Sequence, residues 1–136
     1  MFRIVLDTNV LLVSISSKSR LHWIFRKLVA GEFFLCVTTE ILSEYAEIIE
    51  RYMGEEASVA TMGVLENLPN LVLITTYFRF NLLNDEDDNK FSDCAVAANA
   101  DFIVSHDKDF KILNSVSFPK IQVIDTITFE SFLMTP

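Results

Sequence analysis

The chain has 136 residues, 51% of them apolar, with 12 phenylalanines but only 3 glycines and 3 prolines. That length and composition suit one domain with a sizeable core and exclude disorder, collagen-like repeats and linker-rich architectures. The formal net charge of −8 argues against binding duplex DNA through an electrostatic footprint alone, so the placement of charges matters more than their sum.

Apolar runs alternate with helical patterns along the chain. Arg3 to Leu6 (RIVL) reads as a buried strand, followed by Asp7-Thr8-Asn9 and further apolar residues. A helix is expected from about Leu21 to Ala30, ended by Gly31, and a second strand over Phe33 to Val37. Thr38-Thr39 can cap a helix running to about Tyr52, and another helix is expected over Glu55 to Asn67. Pro69-Asn70 breaks it, and Leu71 to Ile74 is the third strand. Asn84 to Asn89 reads as an acidic loop leading into a helix around Phe91 to Asn99. Phe102 to Ser105 is strand four, Ile121 to Ile124 strand five, and a last helix includes Phe129 to Leu133. Continuous apolar strands separated by helices predict a parallel sheet buried on both faces, within a single domain over 1–136. Ligands of such sheets collect outside the carboxyl ends of the strands.

No apolar run reaches the ~18 to 20 residues needed to span a bilayer. The start, MFRIVLDTNVLL, carries an acid within its apolar stretch and does not read as a secretory signal, so a cytoplasmic protein is expected. Cys36 and Cys94 each lie among apolar residues and lack a C-x-x-C partner. Two buried free thiols are the expectation, a disulfide is the alternative, and zinc is disfavoured.

The strand-edge rule singles out carboxylates. Asp7 follows the first strand and Asp107 the fourth, although an aspartate there can equally cap a helix. On the second expected helix Ile41, Leu42, Tyr45, Ile48 and Ile49 form an apolar stripe, with Glu44 at its edge. Asp93 belongs to a helix apolar on nearly every side, where an ionised carboxylate needs a compensating partner. In the acidic run, Asp88 is assigned an auxiliary role as a cap for that helix. Acids converging at ~4 Å would repel by about 4 kcal/mol per pair at an effective dielectric of ~20. A divalent cation removes that cost, and hard oxygen donors select Mg²⁺ or Mn²⁺ over zinc. Such a site can activate water and clamp the oxygens of an in-line phosphoryl displacement.

The segments Asp7-Thr8-Asn9-Val10, Ser43-Glu44-Tyr45, Lys90-Phe91-Ser92-Asp93-Cys94-Ala95 and Ala100 to Phe110 resemble the PIN domain. Toxin components of prokaryotic toxin–antitoxin systems form the most similar branch. The resemblance covers essentially the whole chain, with Ile127 to Leu133 as the family's usual end. It implies a three-layer α/β/α sandwich with a central, mostly parallel sheet, and a Mg²⁺- or Mn²⁺-dependent ribonuclease acting on single-stranded RNA. It also implies a small antitoxin protein as partner and a homodimer. The family's acidic quartet carries over to Asp7, Glu44, Asp93 and Asp107, with Asn9, Ser105 and Asp109 in supporting positions. Related sequences often have Thr-Gly before the last motif's Asp, where this chain has Ser105-His106, which bears on substrate fit more than on metal binding.

Residues 8 to 31 contain no acid but hold Lys18, Arg20, Arg26 and Lys27 with His22 and Trp23. A basic stretch with an aromatic suits a single strand; an amphipathic helix with Trp23 in the core is the structural alternative. Lys18 and Arg20, with His106 and Lys108 beside the last acid, are the candidate RNA contacts. The rival reading is a non-catalytic PIN-like module acting through protein contacts. A phosphotransfer receiver lacks its Asp after the third strand, and an Asp-nucleophile phosphatase would want Asp where Asn9 stands. A Ser-His-Asp hydrolase finds no G-x-S-x-G.

Overall fold

The computed structural model describes residues 1–134; residues 135 and 136, the end of the expected domain, lie outside the described residues. In chain order the elements are β1 (Arg3–Leu6), α1 (Thr8–Ile15), α2 (His22–Val29), β2 (Phe34–Val37), α3 (Thr39–Met53), α4 (Glu55–Glu66), β3 (Leu71–Leu73), α5 (Glu86–Ala98), β4 (Phe102–Val104), a 3₁₀ helix (Lys108–Ser115), β5 (Val123–Ile124) and α6 (Thr126–Met134). The strands pair in the order β3-β2-β1-β4-β5, every pairing parallel, and helices flank the sheet. Strand residues Ile4 to Leu6, Leu35 to Val37 and Phe102 to Val104 are buried, as continuous apolar runs in a doubly covered sheet require.

This order has a functional consequence. From β1 the chain advances through β2 to β3, then crosses back to β4 on the other side of β1. The reversal makes a crevice at the carboxyl ends of β1 and β4, where open parallel sheets bind ligands. Leu6 pairs with Val104, so the next residues, Asp7 and Ser105, emerge side by side. Tyr45 is fully buried and donates its hydroxyl hydrogen to the Leu6 carbonyl at 2.6 Å, which ties α3 to the end of β1. Thr38 caps α3 by accepting from the Ile41 amide at 3.1 Å, as expected.

Three elements differ from expectation. Helix α1 was not anticipated, because its sequence TNVLLVSI is apolar almost all round and offers no 3.6-residue stripe. The stretch read as an acidic loop is largely the start of α5, which begins at Glu86. Its cap is Asp85, which accepts from the Asp87 amide at 2.9 Å, and not Asp88, which sits inside the first turn. Acids in a first turn oppose the positive end of the helix dipole, and this favours the longer helix. The 3₁₀ helix after β4 is the third addition.

Among the described residues no helix is long and apolar enough to cross a membrane. Cys36 and Cys94 are both free and buried, as anticipated. Burial, with the neighbouring Cys36, pushes the Cys94 thiol up to about 12, and burial raises Cys36 as well. Thiolate is the reactive form. Ellman's reagent should therefore label neither thiol of the folded protein at mildly alkaline pH, and both in concentrated guanidinium chloride. Rapid labelling of the folded protein would contradict this packing.

Candidate metal centre

The site is built from the strand edge outward. Asp7 is 8% exposed, and its Oδ2 accepts from the Ser105 hydroxyl at 2.8 Å. The same Ser105 oxygen accepts from the Asp107 amide at 3.0 Å, and Asp107 Oδ1 accepts from the Asp109 amide at 2.9 Å. Ser105 thus fixes both the carboxylate on β1's end and the backbone turn that carries the next two acids. The capping alternative holds for Asp107, which stands at the N-cap of the 3₁₀ helix; that role engages one of its two carboxylate oxygens.

From the other side, α5 brings Asp88. One carboxylate oxygen each from Asp88, Asp107 and Asp109 lies within 4.8 Å of the others. Burial, then the charges of Asp85, Asp107, Asp7 and Asp109, pushes the Asp88 carboxyl up to about 6. Burial raises Asp7 too, against the lowering effect of the Ser105 hydroxyl and reinforced by Asp107. Crowded hard oxygen donors whose ionisation is opposed by one another fit a divalent cation of the Mg²⁺ or Mn²⁺ type.

The two other sequence-nominated acids have different company. Glu44 is half-buried; one of its oxygens accepts from the Thr8 hydroxyl and the other pairs with Lys90 Nζ at 2.8 Å. It therefore stands next to Asp7 through Thr8, with its charge met by a lysine. Asp93 is 7% exposed, and its Oδ1 accepts from the Phe80 amide at 3.1 Å. It lines a cavity of about 380 Å³ at the ends of β2 and β3, together with Thr38, Arg79 and Lys90. The compensating partner expected for a buried Asp93 is thus a loop amide.

Among the remaining candidates, Asn9 is exposed in the first turn of α1. Lys108 is exposed and lines a second cavity with Asp88 and Asp109. His106 is exposed and shares a hydrogen bond with the Thr126 hydroxyl at 2.9 Å. Lys18 and Arg20 are exposed between α1 and α2, and among the described residues neither side chain forms an ion pair. Trp23 is half-buried against Phe129, with ring centroids 5.7 Å apart, so it packs inward. Sequence reasoning missed Lys90 as the partner of Glu44 and did not bring Asp88 together with Asp107 and Asp109. The signal for Asp88 was present in Asp85 to Lys90: an aspartate cap followed by three acids is a helix start.

A family model described as the PIN domain matches residues 3–109. The chain belongs to the PIN-domain family. No curated protein matches the sequence. Among solved structures, a chain of VapBC2 from Rickettsia felis bound to a promoter DNA fragment is similar at a TM-score of 0.64. Identity is 15%, over 90% of this chain and 98% of that one. The sarcin-ricin loop cleaving toxin VapC20 of Mycobacterium tuberculosis gives 0.60 at 14% identity, over 80% and 93% of the two chains. DNA-bound VapBC from Salmonella typhimurium gives 0.57 at 15% identity, over 92% and 98%. These likenesses support the PIN-like α/β fold already described.

The raised Asp88 carboxyl has a calculable consequence. Its folded pKa of about 6 lies above the ordinary 3.8, so between those values the folded state holds more protons and loses stability as pH rises. In EDTA, Asp88→Asn should gain melting temperature relative to the parent as pH rises from about 4 to about 6, by a few degrees. A difference independent of pH would show that Asp88 carries no such burden.

Proposed function

We propose that this PIN-domain protein is a metal-dependent endoribonuclease that cleaves single-stranded RNA by attack of water on a phosphodiester. The observation that carries the reading is the gathering of Asp88, Asp107 and Asp109 oxygens within 4.8 Å, beside Asp7, at the β1/β4 crevice. In this proposal Asp7, Asp88, Asp107 and Asp109 hold Mg²⁺ or Mn²⁺. When bound, the cation offsets charge on the scissile phosphate and makes water a better nucleophile. Ser105 orients Asp7 and the 107–109 turn, and Asn9, exposed in the first turn of α1, is assigned a supporting role. Glu44 positions α1 through Thr8, with Lys90 supplying its counter-charge, and Asp93 holds the loop at Phe80. This division revises the quartet suggested by resemblance: Asp7 and Asp107 keep their place as ligands, while Glu44 and Asp93 support.

Family membership and the similar VapBC structures also support the biological setting we propose: the toxin of a toxin–antitoxin pair, cytoplasmic, neutralised by a small antitoxin and dimeric. Lys18 and Arg20 in the α1–α2 connection, with His106 and Lys108 next to Asp107, remain candidate RNA contacts. A non-catalytic module would show no metal-dependent RNA cleavage.

Cleavage of single-stranded RNA should require Mg²⁺ or Mn²⁺, stop in EDTA and leave 5′-phosphate ends. Asp88→Asn and Asp107→Asn should each lower the rate by more than the roughly 10- to 100-fold that outer partners of metal sites are worth. They should also abolish most of the rise in melting temperature that Mn²⁺ gives the parent. Asp93→Asn should keep that rise. Loss of the Mn²⁺ shift in Asp93→Asn but not in Asp88→Asn would restore the original quartet and refute the revised ligand set. Full cleavage in EDTA, or 2′,3′-cyclic phosphate products, would refute the mechanism.

A further inference from the structure

The connection from β3 to α5 carries an exposed sequence, Thr75-Thr76-Tyr77-Phe78-Arg79. Tyr77 is 84% exposed and Phe78 74%, and neither ring stacks on another among the described residues. The core gains nothing from them, and consecutive large rings facing water call for a binding explanation. Arg79 is exposed beside them and forms no ion pair among the described residues.

The loop is held firmly at both ends. Ile74 donates its amide hydrogen to the Val37 carbonyl at 2.7 Å. On the other side Asn89 grips Leu83 twice, accepting from its amide at 2.9 Å and donating to its carbonyl at 3.1 Å. Asp93, one turn further along α5, accepts from the Phe80 amide. Residues four apart share a helix face, so one face of α5 clamps the loop while Tyr77, Phe78 and Arg79 are left outside. Chain neighbours of the two rings, Thr75, Arg79 and Asn81, line the 380 Å³ cavity, whose walls also include Thr38 and Lys90, with Glu40 and Glu86. Its hydroxyls, amide and carboxylates suit a ribose or a base edge better than a phosphate. Lys90 joins cavity to centre: it lines the former and pairs with Glu44, which holds Thr8 next to Asp7.

We propose that residues 75–83 form a stacking platform for single-stranded RNA, with bases on Tyr77 and Phe78, a phosphate on Arg79 and a ribose or base edge in the cavity. The proposal rests on the ribonuclease reading and gives its substrate a direction, from the metal crevice toward the β3 edge. Aromatic faces beside cations bind single strands with little sequence preference. The basic segment between α1 and α2 offers charge without an exposed ring, since Trp23 packs on Phe129 and His22 stacks on Phe25.

The test is fluorescence anisotropy of a short, mixed-sequence, fluorescein-labelled RNA in Ca²⁺, under conditions where a gel shows the RNA intact. The double variant Tyr77→Ala, Phe78→Ala should weaken binding about tenfold or more without lowering the melting temperature. Tyr77→Trp with Phe78→Trp should bind as well as the parent, with indole fluorescence quenched by RNA. Arg79→Ala should flatten the salt dependence by about one unit of slope. Double-alanine binding within about twofold of the parent overturns the platform. Unchanged RNA binding with lost self-association in sedimentation also overturns it and assigns the rings to contact between copies. A parent that cleaves RNA but whose cleavage and binding ignore both substitutions sinks the platform alone. A parent that neither binds nor cleaves RNA removes the ribonuclease reading with it.

Discussion

Parallel pairing of β1 with β4, in the register that sets Leu6 opposite Val104, forces the first residues beyond both strands to share one spot. Those residues are Asp7 and Ser105, and the hydrogen bond between them makes the meeting specific. Ser105 passes the constraint on through the Asp107 amide, and Asp107 passes it to Asp109. A short chain of hydrogen bonds therefore positions three acids from two strand ends. Asp88 arrives from α5 into this charge, and its carboxyl answers by resisting ionisation. The sheet topology thus imposes electrostatic strain of the kind that a divalent cation would relieve.

Helix α5 divides its labour by angle. At 100° per residue, Asp88 and Asp93 lie about 140° apart around the axis, while Asn89 and Asp93 are only about 40° apart. The first acid therefore faces the crevice, whereas Asn89 and Asp93 together hold the β3–α5 connection. Lys90 lies about 60° beyond Asp93, on the side away from Asp88, and meets Glu44 from α3. An ion pair this sheltered stabilises only with good geometry and further hydrogen bonds. Here Thr8 takes the second Glu44 oxygen and the Asp87 carbonyl accepts from Lys90 at 2.5 Å. One helix thus links the acidic centre, its supporting ion pair and the loop that displays Tyr77 and Phe78.

Much of the frame is written locally in the chain. Continuous apolar runs mark β1, β2 and β4 because both faces of a parallel sheet are covered, and the strand-edge rule then leads directly to Asp7 and Asp107. The α3 stripe of Ile41, Tyr45 and Ile49 is buried as its period requires, and the two cysteines sit in the core as small hydrophobes. These features depend on neighbours a few residues away, and such neighbours are visible in a sequence.

Which acids meet is another matter, and only the tertiary structure decided it. Asp93 drew attention because its surroundings are apolar, but a buried carboxylate needs only some donor, and the Phe80 amide serves. The part played by Asp88 turned on where α5 begins. An early start, set by the Asp85 cap and the helix dipole, placed Asp88 on a helical face directed at the crevice. The Glu44–Lys90 pair and the clamp on residues 80–83 join segments with no periodic relation. By itself the sequence determined the strands and the edge at which Asp7 and Asp107 emerge. The rest waited on helix phase and on contacts between distant segments, because a side chain's direction is fixed by the backbone that carries it and its partner by the fold.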